Sequence, residues 1–186
     1  MKLLILAGPN GAGKTTIAES LLKEIGIEEF VNVDQIAKGL SMLHPSSVAF
    51  QAGRIALGRI GQLISERSEF AIETTLSSQS ILRLIQQAKS FGFEVIVHFY
   101  ALPDQNIAIE RVKCRVELGG HDIPEDTIRR RFQRGLKIFF SRVLLEVDRW
   151  YFYQNLDQPE LLAYKKGNIT IIKELFNDYK IKFEGR

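Results

Sequence analysis

Gly8-Pro9-Asn10-Gly11-Ala12-Gly13-Lys14-Thr15 fits the pattern G-x-x-x-x-G-K-[ST] and lies between the apolar run Leu3-Leu4-Ile5-Leu6-Ala7 and a stretch of helical period. Strand, glycine turn and helix in that order are the setting the pattern needs, which separates it from a glycine-rich surface turn with a chance lysine. Glycines let successive backbone N–H groups curl around phosphate oxygens, and the helix N-terminus adds partial positive charge. Gly8, Pro9, Asn10, Gly11, Ala12, Gly13, Lys14 and Thr15 are therefore the expected nucleotide-binding residues. Lys14 is expected to reach the β/γ oxygens and the Thr15 hydroxyl to ligate a metal, so the stretch implies ATP and Mg²⁺.

Outward from this loop, apolar runs alternate with amphipathic stretches. Leu3–Ala7, Phe30–Val33, Phe70–Ile72, Val95–Ala101 and Tyr151–Tyr153 read as buried strands separated by helices. That alternation predicts an α/β fold, a parallel sheet with helices on both faces. Ser46–Arg67 reads as one long helix whose apolar stripe is Val48, Ile55, Leu57, Ile60, Leu63 and Ile64. Gly53, Gly58 and Gly61 interrupt it, which points to close packing or a ligand on that face. After Pro159, Leu161–Lys165 and Ile169–Ile172 flank a Lys166-Gly167-Asn168 turn, predicting a hairpin followed by a short helix.

With 186 residues and 45% apolar composition, the chain suits one domain spanning 1–186, with 111–136 as its lid. A single cysteine, Cys114, leaves no internal disulfide and no multi-cysteine zinc site. The first residues run straight into the loop without a signal-peptide pattern, and no apolar run approaches the roughly 18 residues a bilayer span needs. The expectation is a cytoplasmic protein with no membrane role. Net charge is +3 and the pI about 9.0. The basic residues gather beside the phosphate loop rather than along a groove, which favours a small anionic partner over nucleic acid.

Three groups could carry chemistry. Asp34 ends the expected second strand, and in open parallel sheets ligands bind beyond the carboxyl ends of the strands, so its carboxylate is placed to accept a proton from an acceptor hydroxyl. The alternative is an N-cap for a helix beginning near Gln35. Glu73 ends the expected third strand, where it would hold a metal-bound water or an acceptor hydroxyl, with Thr74 adding a hydrogen bond. Ser77 and Ser78 could cap the helix that follows.

The third group runs from Arg111 and Arg115, one helical turn apart, through Leu118-Gly119-Gly120-His121-Asp122-Ile123-Pro124, to Arg129, Arg130, Arg131 and Arg134. Asp122 and Glu125 fit a capping-box variant opening a second helix, on which Ile128, Phe132, Leu136 and Phe139 form the buried stripe. Arg130 and Arg134 then point outward as a solvated face together with Arg142, while Arg131 borders the core and can reach a cleft. A hinged pair of helices carrying arginines is what a lid over a triphosphate needs. His121 is a candidate donor to phosphate or substrate. Trp150-Tyr151-Phe152-Tyr153 reads as a core strand, with base stacking as the alternative.

The phosphate loop, Asp34, Ile72-Glu73-Thr74-Thr75 and Gly119-Gly120-His121-Asp122-Ile123-Pro124 together resemble the zeta toxin family of P-loop kinases, over Lys2 to about Asp157. The resemblance implies a P-loop kinase core with ATP as donor. The best-known members phosphorylate UDP-N-acetylglucosamine on a sugar hydroxyl and act as toxins restrained by an antitoxin. It places the family's phosphate loop on Gly8 to Thr16, which adds Thr16 to the nucleotide-binding residues, its catalytic aspartate on Asp34 and its substrate-side glutamate on Glu73. The arginine layout resembles an adenylate-kinase-type lid, implying phosphate contacts from Arg115 and Arg131. The chain is shorter than the characterised toxins.

The expected activity is transfer of the γ-phosphoryl of ATP to a hydroxyl of a small anionic acceptor, such as a UDP-N-acetyl sugar. Lys14, Asp34, Arg115 and Arg131 are the catalytic set, and Asp34, Glu73, Thr74 and His121 the acceptor side. Two alternatives stand beside it: a nucleic-acid 5′-hydroxyl kinase, suggested by the basic pI, and a non-enzymatic ATP-binding switch.

Overall fold

The computed structural model describes residues 1–120 and 122–184. Seven strands form one sheet: β1 (Lys2–Ala7), β2 (Glu29–Val31), β3 (Phe70–Thr74), β4 (Glu94–Ala101), β5 (Arg149–Asn155), β6 (Pro159–Lys166) and β7 (Ile169–Ile172), in the order β2-β3-β1-β4-β5-β6-β7. The first five are mutually parallel, and β6 and β7 add an antiparallel extension, so the sheet is mixed rather than wholly parallel. This is the α/β fold of P-loop kinases.

Side chains of a strand alternate between faces, yet Leu3, Leu4, Ile5, Leu6 and Ala7 are all fully buried, so both faces of the sheet are covered. The covering helices are α1 (Lys14–Ile25), α2 (Val33–Leu40), α3 (Ala49–Ser65), α4 (Ser80–Ser90), α5 (Gln105–Glu117), α6 (Glu125–Ile138), α7 (Leu144–Glu146) and α8 (Glu174–Glu184). A π turn, Phe139–Val143, joins α6 to α7. The chain enters β1 between β3 and β4 and leaves toward β2, which puts the phosphate loop at the switch point of the strand order.

Period-two alternation along β5 sorts its aromatic residues. Trp150 and Phe152 are buried with Phe139, Phe140 and Phe176, whose rings meet edge-to-face, tilted or stacked at 5.1–6.3 Å. Tyr151 and Tyr153 line the other face and pack around His98, at 4.6 and 5.7 Å. These rings are used up in the sheet, so the base-stacking alternative loses its basis.

His98 is buried, and Nδ1 has no hydrogen-bond partner among the described residues. Burial pulls its pKa down to about 4, because the charged imidazolium is poorly solvated there. With a folded pKa below the unfolded value near 6.5, protonation favours the unfolded chain. This contribution to stability is therefore complete above pH 6.5 and lost as pH falls toward 4, a change of about 3 kcal/mol. Urea denaturation at pH 7 and pH 4.5 should show His98→Phe losing less stability than the parent over that interval. Equal losses in the two proteins would remove His98 as the cause.

The long helix differs from its expected form. Pro45–Val48 is a 3₁₀ turn and α3 starts at Ala49; its buried seam is Ala52, Ala56, Ile60, Leu63 and Ile64, while Leu57 is 68% exposed and Ile55 is also on the surface. The first half of the expected stripe was drawn by bulkier residues, but Ala52 and Ala56 fill the buried seam there, while Ile60, Leu63 and Ile64 are buried as expected. Gly53, Gly58 and Gly61 face open space, since a Cβ on each meets nothing within 4 Å, so close packing does not account for them. Gly58→Ala/Gly61→Ala should thus stabilise the fold by about 1–2 kcal/mol through helix propensity alone. A rise in urea midpoint checks this; a fall would show that the glycines have a structural use.

Candidate active site

The loop between β1 and α1 is held by contacts that only glycine permits at its ends. A Cβ on Gly8 would lie 2.2 Å from the Tyr100 carbonyl oxygen, and Gly13 has φ +74° with Asn155 Nδ2 2.8 Å from its notional Cβ. Asn155, at the carboxyl end of β5, donates from Nδ2 to the Ala12 carbonyl at 2.8 Å. Arg111 donates to the carbonyls of Gly11 (3.2 Å), Asn155 (3.0 Å) and Leu156. Arg111 and Asn155 therefore clamp the loop to the end of β5.

Lys14 is buried, with 5% exposure, and its Nζ donates to the Gly8 and Pro9 carbonyls, both at 2.9 Å. Burial holds its ammonium below the ordinary lysine range; Glu73 and Asp34 pull the other way, and Arg115 adds to the depression. An anion arriving here would supply the counter-charge that the interior withholds.

Glu73 is the hub. Its Oε2 accepts from Thr15 Oγ1 and from Asn32 Nδ2, both at 2.8 Å, and its Oε1 lies 3.7 Å from Lys14 Nζ. The register explains this: Glu73 pairs with Leu6 of β1, just ahead of the loop. It sits inside β3, which runs on to Thr74. Thr74 Oγ1 accepts from the Leu76 N–H at 3.0 Å, so this hydroxyl holds the turn after the strand.

Asp34 neither ends a strand nor caps a helix, contrary to both sequence readings. β2 stops at Val31, and Asn32 is the cap, its Oδ1 accepting from the Gln35 N–H at 3.1 Å. Asp34 is the second residue of α2, exposed, with no hydrogen bond or ion pair among the described residues. The strand is shorter than its apolar run because Asn32 diverts the backbone. Asp34 nonetheless faces the loop.

Two cavities meet at these groups. One, of about 220 Å³, runs along Asn10–Thr16 beneath Arg111 and Arg115; the other, of about 200 Å³, is walled by Asn32, Thr74, Thr75 and Arg131. Asn10, Lys14, Asp34 and Glu73 line both. Asn10 Oδ1 is buried without a partner among the described residues. The helical-face argument for Arg131 agrees with this geometry: Ile128, Phe132, Leu136 and Phe139 are buried, and Arg131 borders the second cavity. The expected capping box at the start of α6 is absent: Pro124 occupies the cap, and Glu125 pairs instead with Lys113 at 2.7 Å and Arg129 at 3.8 Å, joining α5 to α6. His121 lies outside the described residues.

A family model described as an AAA domain, AAA_33, matches residues 3–138, a span that holds the phosphate loop, Asn32, Asp34, Glu73, Arg111, Arg115 and Arg131 but not Asn155. The chain belongs to this AAA-domain family. An uncharacterized protein of Haemophilus influenzae (strain ATCC 51907 / DSM 11121 / KW20 / Rd) is 31% identical over 131 residues, covering 70% of this chain and 92% of that relative. Among solved structures, the fold is shared with AvrRxo1-ORF1:-ORF2 with ATP, at TM-score 0.71 and 17% identity, covering 96% of this chain. This AAA-domain chain spans 63% of that one. The PezAT chromosomal toxin–antitoxin system of Streptococcus pneumoniae aligns at TM-score 0.66 and 18% identity, over 98% of this chain and 84% of that one. A gluconokinase from Sinorhizobium meliloti aligns at TM-score 0.55 and 15% identity, over 84% and 83%.

Asn32 and Asn155 were not expected in the site. Asn32 carries a legible signal, since an asparagine three residues ahead of Gln35 at a strand end is a good helix cap. Asn155 lies at the carboxyl end of a parallel strand, where side chains reach the ligand face, but its partner is a backbone carbonyl 143 residues away. Nothing local in the sequence encodes that pairing.

Proposed function

We propose that the protein is an ATP-dependent kinase of zeta-toxin type, transferring the γ-phosphoryl group to a hydroxyl of a small anionic acceptor. The observation that carries this is the junction of two cavities at Lys14, Asp34 and Glu73, one running along the phosphate loop and the other extending from it to Asn32, Thr74, Thr75 and Arg131. A hydrolase or switch needs only the first. The gluconokinase and the toxin–antitoxin structures with the same fold support the reading.

The loop fits a triphosphate: the glycines open a backbone cradle, Lys14 supplies a buried cation, and the helix dipole of α1 adds to it. The oxygens of Thr15 and Glu73 suit Mg²⁺, which keeps water and phosphate ligands and takes only one or two from protein. When bound, the ion supplies charge neutralisation at the β- and γ-phosphates.

The chain's own residues do the rest. Lys14 leaves the Gly8 and Pro9 carbonyls for phosphate oxygens, and Arg115 and Arg131 meet the transferring group from the two cavities. Asp34, unengaged and facing both, accepts the proton of the acceptor hydroxyl as its oxygen bonds to γ-phosphorus and the bond to the β-phosphate oxygen breaks, releasing ADP. Residues 111–136 act as the lid that excludes water. A restraining partner protein belongs to the same reading, on the likeness to PezAT.

The test is incubation with γ-labelled ATP and a panel of UDP-sugars, nucleosides, gluconate and 5′-hydroxyl oligonucleotides. Label in a small anionic product supports the proposal. Label in the oligonucleotides alone would shift it to a nucleic-acid kinase.

A further inference from the structure

Gly135 lies inside α6, where glycine weakens a helix relative to alanine. Unlike Gly53, Gly58 and Gly61, it does not face open space: a Cβ there would lie 2.5 Å from the Thr75 carbonyl oxygen, just past the end of β3. The obstacle is backbone, which does not swing aside as a long side chain does. A methyl group at 135 would therefore push the helix and the strand end apart, and its absence sets how closely the two approach.

Arg131 stands one helical turn ahead of Gly135 and shares its face. There it lines the acceptor-side cavity together with Lys14, Asp34, Glu73, Thr74 and Thr75. The backbone at 135 and the guanidinium at 131 thus meet the same strand end, one in direct contact and the other across the cavity. The spacing between α6 and Thr75 therefore fixes where the arginine's long, flexible side chain begins.

Both sides of the contact are held. Leu76, fully buried, has φ +57°, a left-handed conformation that a leucine keeps only where its surroundings over-determine it. Its N–H is held by Thr74 Oγ1, and the Thr75 and Ser77 hydroxyls bond each other at 2.9 Å, so the Thr75 carbonyl sits in a turn braced from both ends. On the helix, Ile128, Phe132 and Leu136 are buried in the core. The π turn that follows anchors the far end of α6 through Phe139, Phe140 and Val143, all buried as well. Neither partner yields easily to an added methyl group.

We infer that Gly135 is a positioning residue for phosphoryl transfer: its missing side chain lets α6 rest on the Thr75 carbonyl and so sets the height of Arg131 over the transfer cleft. The inference rests on the kinase reading above, in which Arg131 meets the transferring group. Relief of the 2.5 Å approach to ordinary van der Waals contact, 3.4 Å or more, needs a separation of about 1 Å. Displacing a group that acts on the transition state by that much costs up to about 10²-fold.

The test is calorimetry on the full chain with Mg·ADP, alone and with tetrafluoroaluminate, a mimic of the transferring phosphoryl group that needs no acceptor. The mimic should tighten ADP binding in the parent, and Gly135→Ala should lose at least about tenfold of that tightening while Mg·ADP alone binds as before. In an Arg131→Ala background the same substitution should cost nothing further, because the guanidinium it displaces is gone. Equal losses in both backgrounds, or full tightening in a folded Gly135→Ala protein, would overturn the inference. If circular dichroism shows Gly135→Ala unfolded, Ser77→Ala takes its place in the cycle, since it deletes the hydroxyl bond that braces Thr75. It should weaken the mimic severalfold in the parent and not at all beside Arg131→Ala; an equal effect in both, or none in the parent, would overturn the inference. A parent whose ADP affinity the mimic leaves unchanged would reject the kinase reading, and the inference with it.

Discussion

Lys14→Ala should reduce phosphoryl transfer by about 10²- to 10³-fold, the scale of removing one preorganised charged donor from a transition state in a water-poor site. Affinity for Mg·ATP should fall with it, since Lys14 is the buried cation that both cavities share. The loss also leaves the Gly8 and Pro9 carbonyls and the Glu73 carboxylate without their cation. Circular dichroism on the same sample separates that effect from unfolding. Calorimetry and turnover unchanged from the parent would show that the loop does not bind the donor.

Asp34→Asn should leave Mg·ATP binding intact and lower transfer by about 10²- to 10⁴-fold, the range of positioned general-base catalysis. The cap is untouched because Asn32 makes it, and among the described residues Asp34 has no hydrogen bond to lose, so the change removes its charge and with it its pull on the Lys14 ammonium. Single-turnover rates at saturating ATP read the effect directly. Near-normal transfer would reduce Asp34 to an acid in the first turn of α2, where it complements the helix dipole and nothing more.

Much of this arrangement was legible because it is encoded locally. The phosphate loop is a contiguous pattern whose every residue has a backbone or side-chain task, and β1 announces itself as five apolar residues in a row. Arg131 was placed by helical period alone, and the buried partners Ile128, Phe132 and Leu136 lie where that period puts them. The tail hairpin and its following helix were equally readable from a Gly-Asn turn between apolar runs.

What failed depended on distant partners or on competition between neighbours. Asn32 and Asp34 compete for the same helix start, and the choice of Asn32 is coupled to its second bond, to Glu73, 41 residues away. Glu125 left the capping role for Lys113 on another helix. The apolar stripe of α3 was read correctly at Ile60, Leu63 and Ile64 but missed in its first half, where alanine, a weak hydrophobic signal, fills the seam at Ala52 and Ala56 while Ile55 and Leu57 stay outside.

The most direct measurement of the central claim follows the γ-phosphoryl group itself. The protein is incubated with Mg²⁺, ATP carrying ¹⁸O in the γ-phosphoryl oxygens and a small-molecule extract, and the products are resolved by mass spectrometry. A single cleft joining donor and acceptor at Lys14, Asp34 and Glu73 predicts the heavy oxygens in an organic phosphomonoester, absent when Asp34→Asn replaces the parent. Heavy oxygens found only in inorganic phosphate, or label transfer undiminished in Asp34→Asn, would contradict it.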